Sequence, residues 1–202
     1  MDLSERQRDA VSELINIAFS RTGAALSELS GQRVILSAPE VSIHPTAELP
    51  GALAKFIPGE VASIHQVFGG PVAGDALLLL NQEGAVQLTD LLTADGHAPS
   101  NRLDESAREV LTEVGNVILS SCLSAFGDML RVSVTFAVPR IHVESLDGLL
   151  RSLKVKDDEM HYTLLAATRF RLSEGEVGGY LMIAVGIASL ELITRALAAR
   201  EG

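Results

Sequence analysis

DAVSELINIAFS, residues 9–20, and EVLTEVGNVILS, residues 109–120, carry one residue pattern twice, 100 positions apart. In both copies the spacing is acid-x3-Glu-x2-Asn-x22-Pro. Asp9, Glu13, Asn16 and Pro39 are answered by Glu109, Glu113, Asn116 and Pro139. A Glu three residues before an Asn is common on helices, so one pair alone carries little weight. A Pro at the same distance from both Asn residues carries more, because Pro is only about one residue in twenty. The chain reads as an internal duplication that kept one surface constellation in each half.

Working outward, Ser4 and Gln7 form a capping-box signature that opens a helix running to about Leu29. At roughly 100° per residue, Val11, Leu14, Ile15, Ala18, Ala25 and Leu29 share one face. Asp9, Glu13, Asn16 and Ser20 fall opposite them. Gly31 is placed to stop the helix, and residues 33–38 read as a strand ending at Pro39. In the second copy Asp104 or Glu105 begins a helix with Leu111, Val114, Ile118 and Cys122 inside. Glu109, Glu113 and Asn116 lie outside, Gly127 ends the helix, and residues 131–138 form a strand ending at Pro139.

The halves continue alike. Residues 60–68 and 74–80 read as a hairpin followed by a helix over 83–92. Residues 162–172 and 177–185 read as another hairpin, followed by a helix over 189–199. A helix over 145–153 has no counterpart in the first half. The expectation is one α/β domain with pseudo-two-fold helix–strand–hairpin–helix units, a largely antiparallel sheet and long outer helices. Its repeats are 1–93 and 102–202, joined by the polar linker 94–101.

The composition narrows the function. A length of 202 residues with 47% hydrophobic content is enough to bury a core. The net charge of −10 and the absence of Trp argue against nucleic-acid binding, which needs clustered cations. Nothing favours an anionic membrane surface. A single cysteine, Cys122, allows no internal disulfide and suits a reducing compartment. The charged start, MDLSERQRDAV, lacks the apolar core of a signal peptide, and apolar runs such as Ala76 to Leu80 are too short to span a bilayer. A cytoplasmic protein is expected.

The Glu/Asn pairs point to a class of chemistry. One helical turn apart, a carboxylate and a carboxamide reach the same target. The first pairs with a cation, while the second donates and accepts hydrogen bonds without taking up a proton. Such an amide can hold a water in place, and positioning supplies much of the barrier reduction in phosphoryl hydrolysis.

The pattern resembles the Asp/Ser-x3-Glu-x2-Asn-x22-Pro signature of the CheC-type phosphatases of bacterial chemotaxis, which dephosphorylate CheY-like response regulators. The resemblance spans essentially the whole chain, and ELINIAF, GAALSELSGQRV and EVGNVILSSCLSAFGDML read like the family's motif helices. Two motif copies and the length resemble CheC more than the single-site CheX subgroup. The resemblance implies that Glu13 and Glu113 pair with the regulator's active-site lysine. It implies that Asn16 and Asn116 enter that site and align the attacking water. Asp9 and Glu109 occupy the first motif position as partner-binding residues, Glu109 being longer than the family's Asp or Ser. Pro39 and Pro139 are structural.

No metal site is implied in this chain, since Mg²⁺ belongs to the partner receiver domain. A CheD-like deamidase is a further implied partner. A non-catalytic adaptor resembling CheC or the FliM middle domain is the alternative, and the motif in both halves favours catalysis over it. In the first copy Ala18-Phe19-Ser20-Arg21 replaces the small residues that often follow the Asn, which puts Phe19 on the helix flank as a contact residue.

The remaining residues read as structural. Cys122 is a small core residue. The five histidines have no ligand spacing, so no metal is expected. The glycines of SEGEVGGY lack a phosphate-loop Lys and read as a hairpin with a bulge.

Overall fold

Both motif stretches are helical in a computed structural model of the chain. It describes residues 4–31, 33–37, 40–45, 48, 53, 60–92, 103–152, 161–172 and 175–198. The linker expected over 94–101 and Pro39 lie outside these residues.

Helix α1 spans Glu5–Ser30. Its capping box is complete: the Gln7 N–H donates to Ser4 Oγ at 3.3 Å, and the Ser4 N–H donates to Gln7 Oε1 at 2.9 Å. Gly31 stops the helix with φ 65°, a left-handed conformation that costs glycine little. After it come β1 (Ile35–Leu36), β2 (Glu40–Pro45), β3 (Glu60–Gly69), β4 (Gly74–Asn81) and α2 (Gln82–Leu92). The second half answers with α3 (Glu105–Leu130), β5 (Thr135–Phe136), β6 (Arg140–Ser145), α4 (Leu146–Ser152), β7 (His161–Leu172), β8 (Gly175–Gly186) and α5 (Ile187–Ala198). Asp104 caps α3, its carboxylate accepting the Ala107 N–H at 2.9 Å.

The eight strands among the described residues join one antiparallel sheet, ordered β1–β7–β8–β4–β3–β5, with β2 also on β7 and β6 also on β3. The halves interleave. The strands that follow α1 pair with the second hairpin, and those that follow α3 pair with the first. The hairpins meet along β4 and β8, from Gly74↔Val185 to Leu79↔Tyr180.

One sheet face carries α1 and α3 over the larger core. There Leu14, Ile15, Ile64, Leu78, Leu119 and Leu123 pack together. The opposite face carries a smaller cluster in which Leu146 and Leu149 of α4 cover Val61, Leu77, Leu79 and Met182. Leu53 adds to that cluster from the first half. Arg21 of α1 reaches Asp128 of α3 at 2.7 Å, an exposed pair that contributes little to stability. By length and composition α3 is apolar enough to cross a membrane, yet 56% of its apolar window is buried inside this fold, as in a core helix.

Several expectations need correction. Leu29 is 49% exposed, because the last turn of α1 is left uncovered. Gly127 does not end α3. The helix runs on to Leu130 and turns at Arg131, at φ 56°, while the buried Gly127 carbonyl accepts the Val132 N–H at 2.9 Å. A side chain at Gly127 would meet the Val132 carbonyl, so closeness and not helix termination explains this glycine.

The strands expected over 33–38 and 131–138 shrink to two residues each, while β2 and β6 form beyond the prolines. The second hairpin keeps one register from His161↔Gly186 to Leu172↔Gly175, with no bulge among the described residues.

Cys122 lies wholly inside the core, and burial pushes its thiol from the ordinary 9.0 up to about 12. The unfolded thiol ionises first, so the stability contributed by the neutral buried form is present below about pH 9 and declines as pH rises above it. Denaturation midpoints measured from pH 8 to 10 should therefore fall more steeply in the native sequence than in Cys122→Ala.

Candidate functional site

Each motif helix has a packed side and an open side. On α1, Val11, Leu14, Ile15 and Ala18 have no exposed surface, while Asp9, Glu13, Asn16 and Ser20 are exposed. On α3, Leu111, Val114, Ile118 and Cys122 are buried, Glu109 and Glu113 are exposed, and Asn116 is half-buried. Rotating either helix by one residue would bury a carboxylate, so the apolar stripe fixes which way the Glu/Asn row faces. Among the described residues no cation pairs with Glu13 or Glu113, which leaves both carboxylates open to a partner.

Phe19 departs from expectation. It is 3% exposed and belongs to the core, since its position on the helix turns the ring toward the sheet. It also walls a cavity of about 460 Å³ between α1 and the segment 33–37, bordered by Asn16, Ser20, Ser27, Arg33 and Leu36. Ser27 Oγ ties that segment to α1, accepting the Val34 N–H at 2.9 Å and donating to the Gly23 carbonyl at 2.7 Å.

Pro139 stands at a register break. Phe68 faces Phe136, but His65 faces Arg140, so three residues, 137–139, lie opposite only Gln66 and Val67. This is a bulge, where a residue without an N–H is tolerated. The Ala137 N–H still donates to the Val67 carbonyl at 2.9 Å. The Ala137 carbonyl accepts from the side chain of Gln66, Nε2 at 3.0 Å. The same register step occurs against β7, where Leu36 faces Phe170 and Glu40 faces Ala167.

Gln66 joins the bulge to the motif helix. Its Nε2 lies 3.3 Å from Asn116 Oδ1 and 3.4 Å from Ser120 Oγ, and the Ser120 hydroxyl donates to Asn116 Oδ1 at 3.2 Å. Gln66 is 1% exposed, and its Oε1 is buried with no partner. An unsatisfied buried acceptor costs about 1–3 kcal/mol, which the contacts on Nε2 must offset.

Gly115 makes this junction possible. A Cβ there would lie 2.7 Å from Ile64 Cγ2 and 2.9 Å from Ile64 Cβ. The bare backbone therefore lets α3 press onto β3 beside Gln66. At the matching place on α1 stands Ile15. Asn16 is exposed, and no hydrogen bond holds its side chain among the described residues.

Sequence reading passed over Gln66, Ser120 and Gly115. One signal for Gln66 was available: it is the lone polar residue in the inward row Ala62, Ile64, Gln66, Phe68. Among the described residues no cluster of His, Cys, Asp or Glu is arranged to hold a metal.

No family model matches the chain. It is 27% identical over 177 residues to the flagellar motor switch phosphatase FliY of Bacillus subtilis, covering 87% of this chain and 45% of that protein. It thus spans about half the length of that relative. It is 22% identical over 204 residues to the CheY-P phosphatase CheC of the same organism, covering 91% of this chain and 96% of CheC. The fold superposes on Thermotoga maritima FliY with a TM-score of 0.81 at 17% identity, covering 99% of this chain and 100% of that one. In sequence and in fold the chain is similar to the CheC-type proteins.

The FliM middle domain from H. pylori matches with a TM-score of 0.64 at 12% identity, over 96% of this chain and 99% of that one.

The contact of Gly115 with Ile64 can be tested directly. Gly115→Ala should lower stability by about 1–3 kcal/mol, read as a lower urea midpoint at unchanged slope. Combined with Ile64→Ala it should cost less than the sum of the two. Full additivity would mean that the two residues do not touch.

Proposed function

We propose that the chain hydrolyses the aspartyl phosphate of a CheY-like receiver domain, using the same Glu/Asn pair on α1 and on α3. The observation that carries this reading is the duplicated Glu/Asn row on the open side of each helix, each copy backed by a buried apolar stripe and, among the described residues, with no ion pair to either Glu. The two relatives, both described as phosphatases, support it at the level of the family.

In this reading Glu13 or Glu113 docks on a lysine beside the phosphorylated aspartate. That ion pair sets the helix so that Asn16 or Asn116 reaches the phosphoryl group. The carboxamide holds a water in line with the scissile P–O bond. The water oxygen bonds to phosphorus, the aspartate carboxylate leaves with the electron pair of the broken bond, and inorganic phosphate is released. Asn contributes position and hydrogen bonds, not proton abstraction. The charge on the transferring group would be met by Mg²⁺ held in the receiver domain, and Asp9 and Glu109 would border the docking surface. The site of action would be the cytoplasm.

The fold shared with the FliM middle domain supports a second reading, a non-catalytic adaptor that binds a receiver domain or another partner such as a CheD-like deamidase. The two are separated by one assay. With a CheY-type receiver domain phosphorylated by acetyl phosphate in Mg²⁺, the native chain should shorten the phosphate lifetime about ten-fold or more. Asn16→Ala with Asn116→Ala should restore the receiver's own lifetime while the melting curve stays cooperative. Binding without any change of lifetime would favour the adaptor. Undiminished acceleration in the double variant would sink the mechanism.

A further inference from the structure

Gln66 belongs to neither motif copy, yet it determines how the second copy is presented. A backbone carbonyl can only accept, so the buried amide must turn Nε2 toward Ala137 O, at 3.0 Å. The same NH₂ then requires an acceptor on its other side, where Asn116 Oδ1 lies at 3.3 Å. Ser120 gives its hydroxyl proton to that same oxygen, at 3.2 Å. With both donors on Oδ1, the Asn116 carboxamide keeps its oxygen inward and offers Nδ2 outward.

Among the described residues no such relay reaches Asn16. By register, Phe68 corresponds to Phe170 and His65 to Ala167, so Thr168 stands where Gln66 stands in the other half. Asn16 is exposed and unheld among the described residues.

We propose that Gln66 is a positioning residue that locks the Asn116 carboxamide with its N–H groups outward, making the second site preorganised and the first adaptable. The geometric part stands alone, and the kinetic part rests on the phosphatase reading above. A locked amide loses less freedom when it meets a water or phosphoryl oxygen, so the advantage lies in turnover more than in binding.

Two measurements test this. In ¹⁵N NMR of the full chain, relaxation should show the Asn116 side-chain NH₂ ordered and the Asn16 NH₂ mobile. Gln66→Leu should make Asn116 resemble Asn16. An Asn116 amide as mobile as Asn16 in the native protein overturns the proposal, whatever the activity.

The kinetic measurement uses Asn16→Ala, in which the second site acts alone on the acetyl phosphate-treated receiver domain. There Gln66→Leu should lower kcat about ten-fold with KM nearly unchanged. Gln66→Glu cannot donate as a carboxylate, so it should be equally slow at pH 8. Protonation at falling pH gives back one O–H donor for Asn116 Oδ1, so activity should recover in part, relative to a Gln66→Leu control that does not. Equal losses in kcat and KM, or no recovery, would reduce Gln66 to a packing residue.

Should Gln66→Leu fail to fold, Ser120→Ala carries the same decision through a loosened Asn116 amide and about a three-fold loss of kcat. Full activity in Asn16→Ala with Asn116→Ala would instead refute the Asn-based mechanism, leaving the NMR result to judge Gln66.

Discussion

Burial of one side of α1 and one side of α3 against a shared sheet is the constraint on which the site depends. Val11, Leu14, Ile15 and Ala18 on α1, and Leu111, Val114, Ile118 and Cys122 on α3, are out of solvent. A fully buried Leu, Ile or Val contributes about 1.5–3 kcal/mol, so each stripe outweighs any preference of the polar face. Turning a helix would forfeit that burial and sink a carboxylate as well. Glu13, Asn16, Glu113 and Asn116 therefore face outward because the apolar residues between them cannot.

The sheet makes the two helices one object. Each half lends its motif strand to the other half's hairpin, so neither motif copy is completed by its own repeat. The spacing from Asn to Pro then has a physical meaning. In the second half the helix residue Asn116 and the bulge before Pro139 are joined by one side chain, Gln66, supplied by the first half. The copies differ where the packing differs. Gly115 lets α3 settle on Ile64 and brings Asn116 within reach of Gln66, whereas Ile15 fills the same place on α1.

The helices, their caps and their buried faces were legible in the sequence because they follow from 3.6-residue periodicity and local side-chain chemistry. Ser4 with Gln7, Asp104 and Gly31 each act within a few residues of their own position. Both hairpins were legible for a similar reason. What the sequence did not show depends on contacts between distant segments. The exchange of strands, the register step at residues 137–139, the burial of Phe19 and the partnership of Gln66 with Asn116 all join residues from different elements. Gly127 misled because a glycine near a helix end signals a stop, whereas here it admits the carbonyl of Val132. The prolines read as strand ends because their missing N–H interrupts a ladder, and Pro139 instead marks a bulge from which β6 continues.

The central claim is that the outward faces of α1 and α3 are the surfaces that meet a receiver domain. Amide chemical-shift mapping of the ¹⁵N-labelled chain, titrated with a CheY-type receiver domain held in its phosphorylated form by Mg²⁺ and beryllofluoride, tests it most directly. The account predicts that the perturbed signals cluster around Asp9, Glu13 and Asn16 and around Glu109, Glu113 and Asn116. Perturbations confined to α4 and the opposite face of the sheet would contradict it.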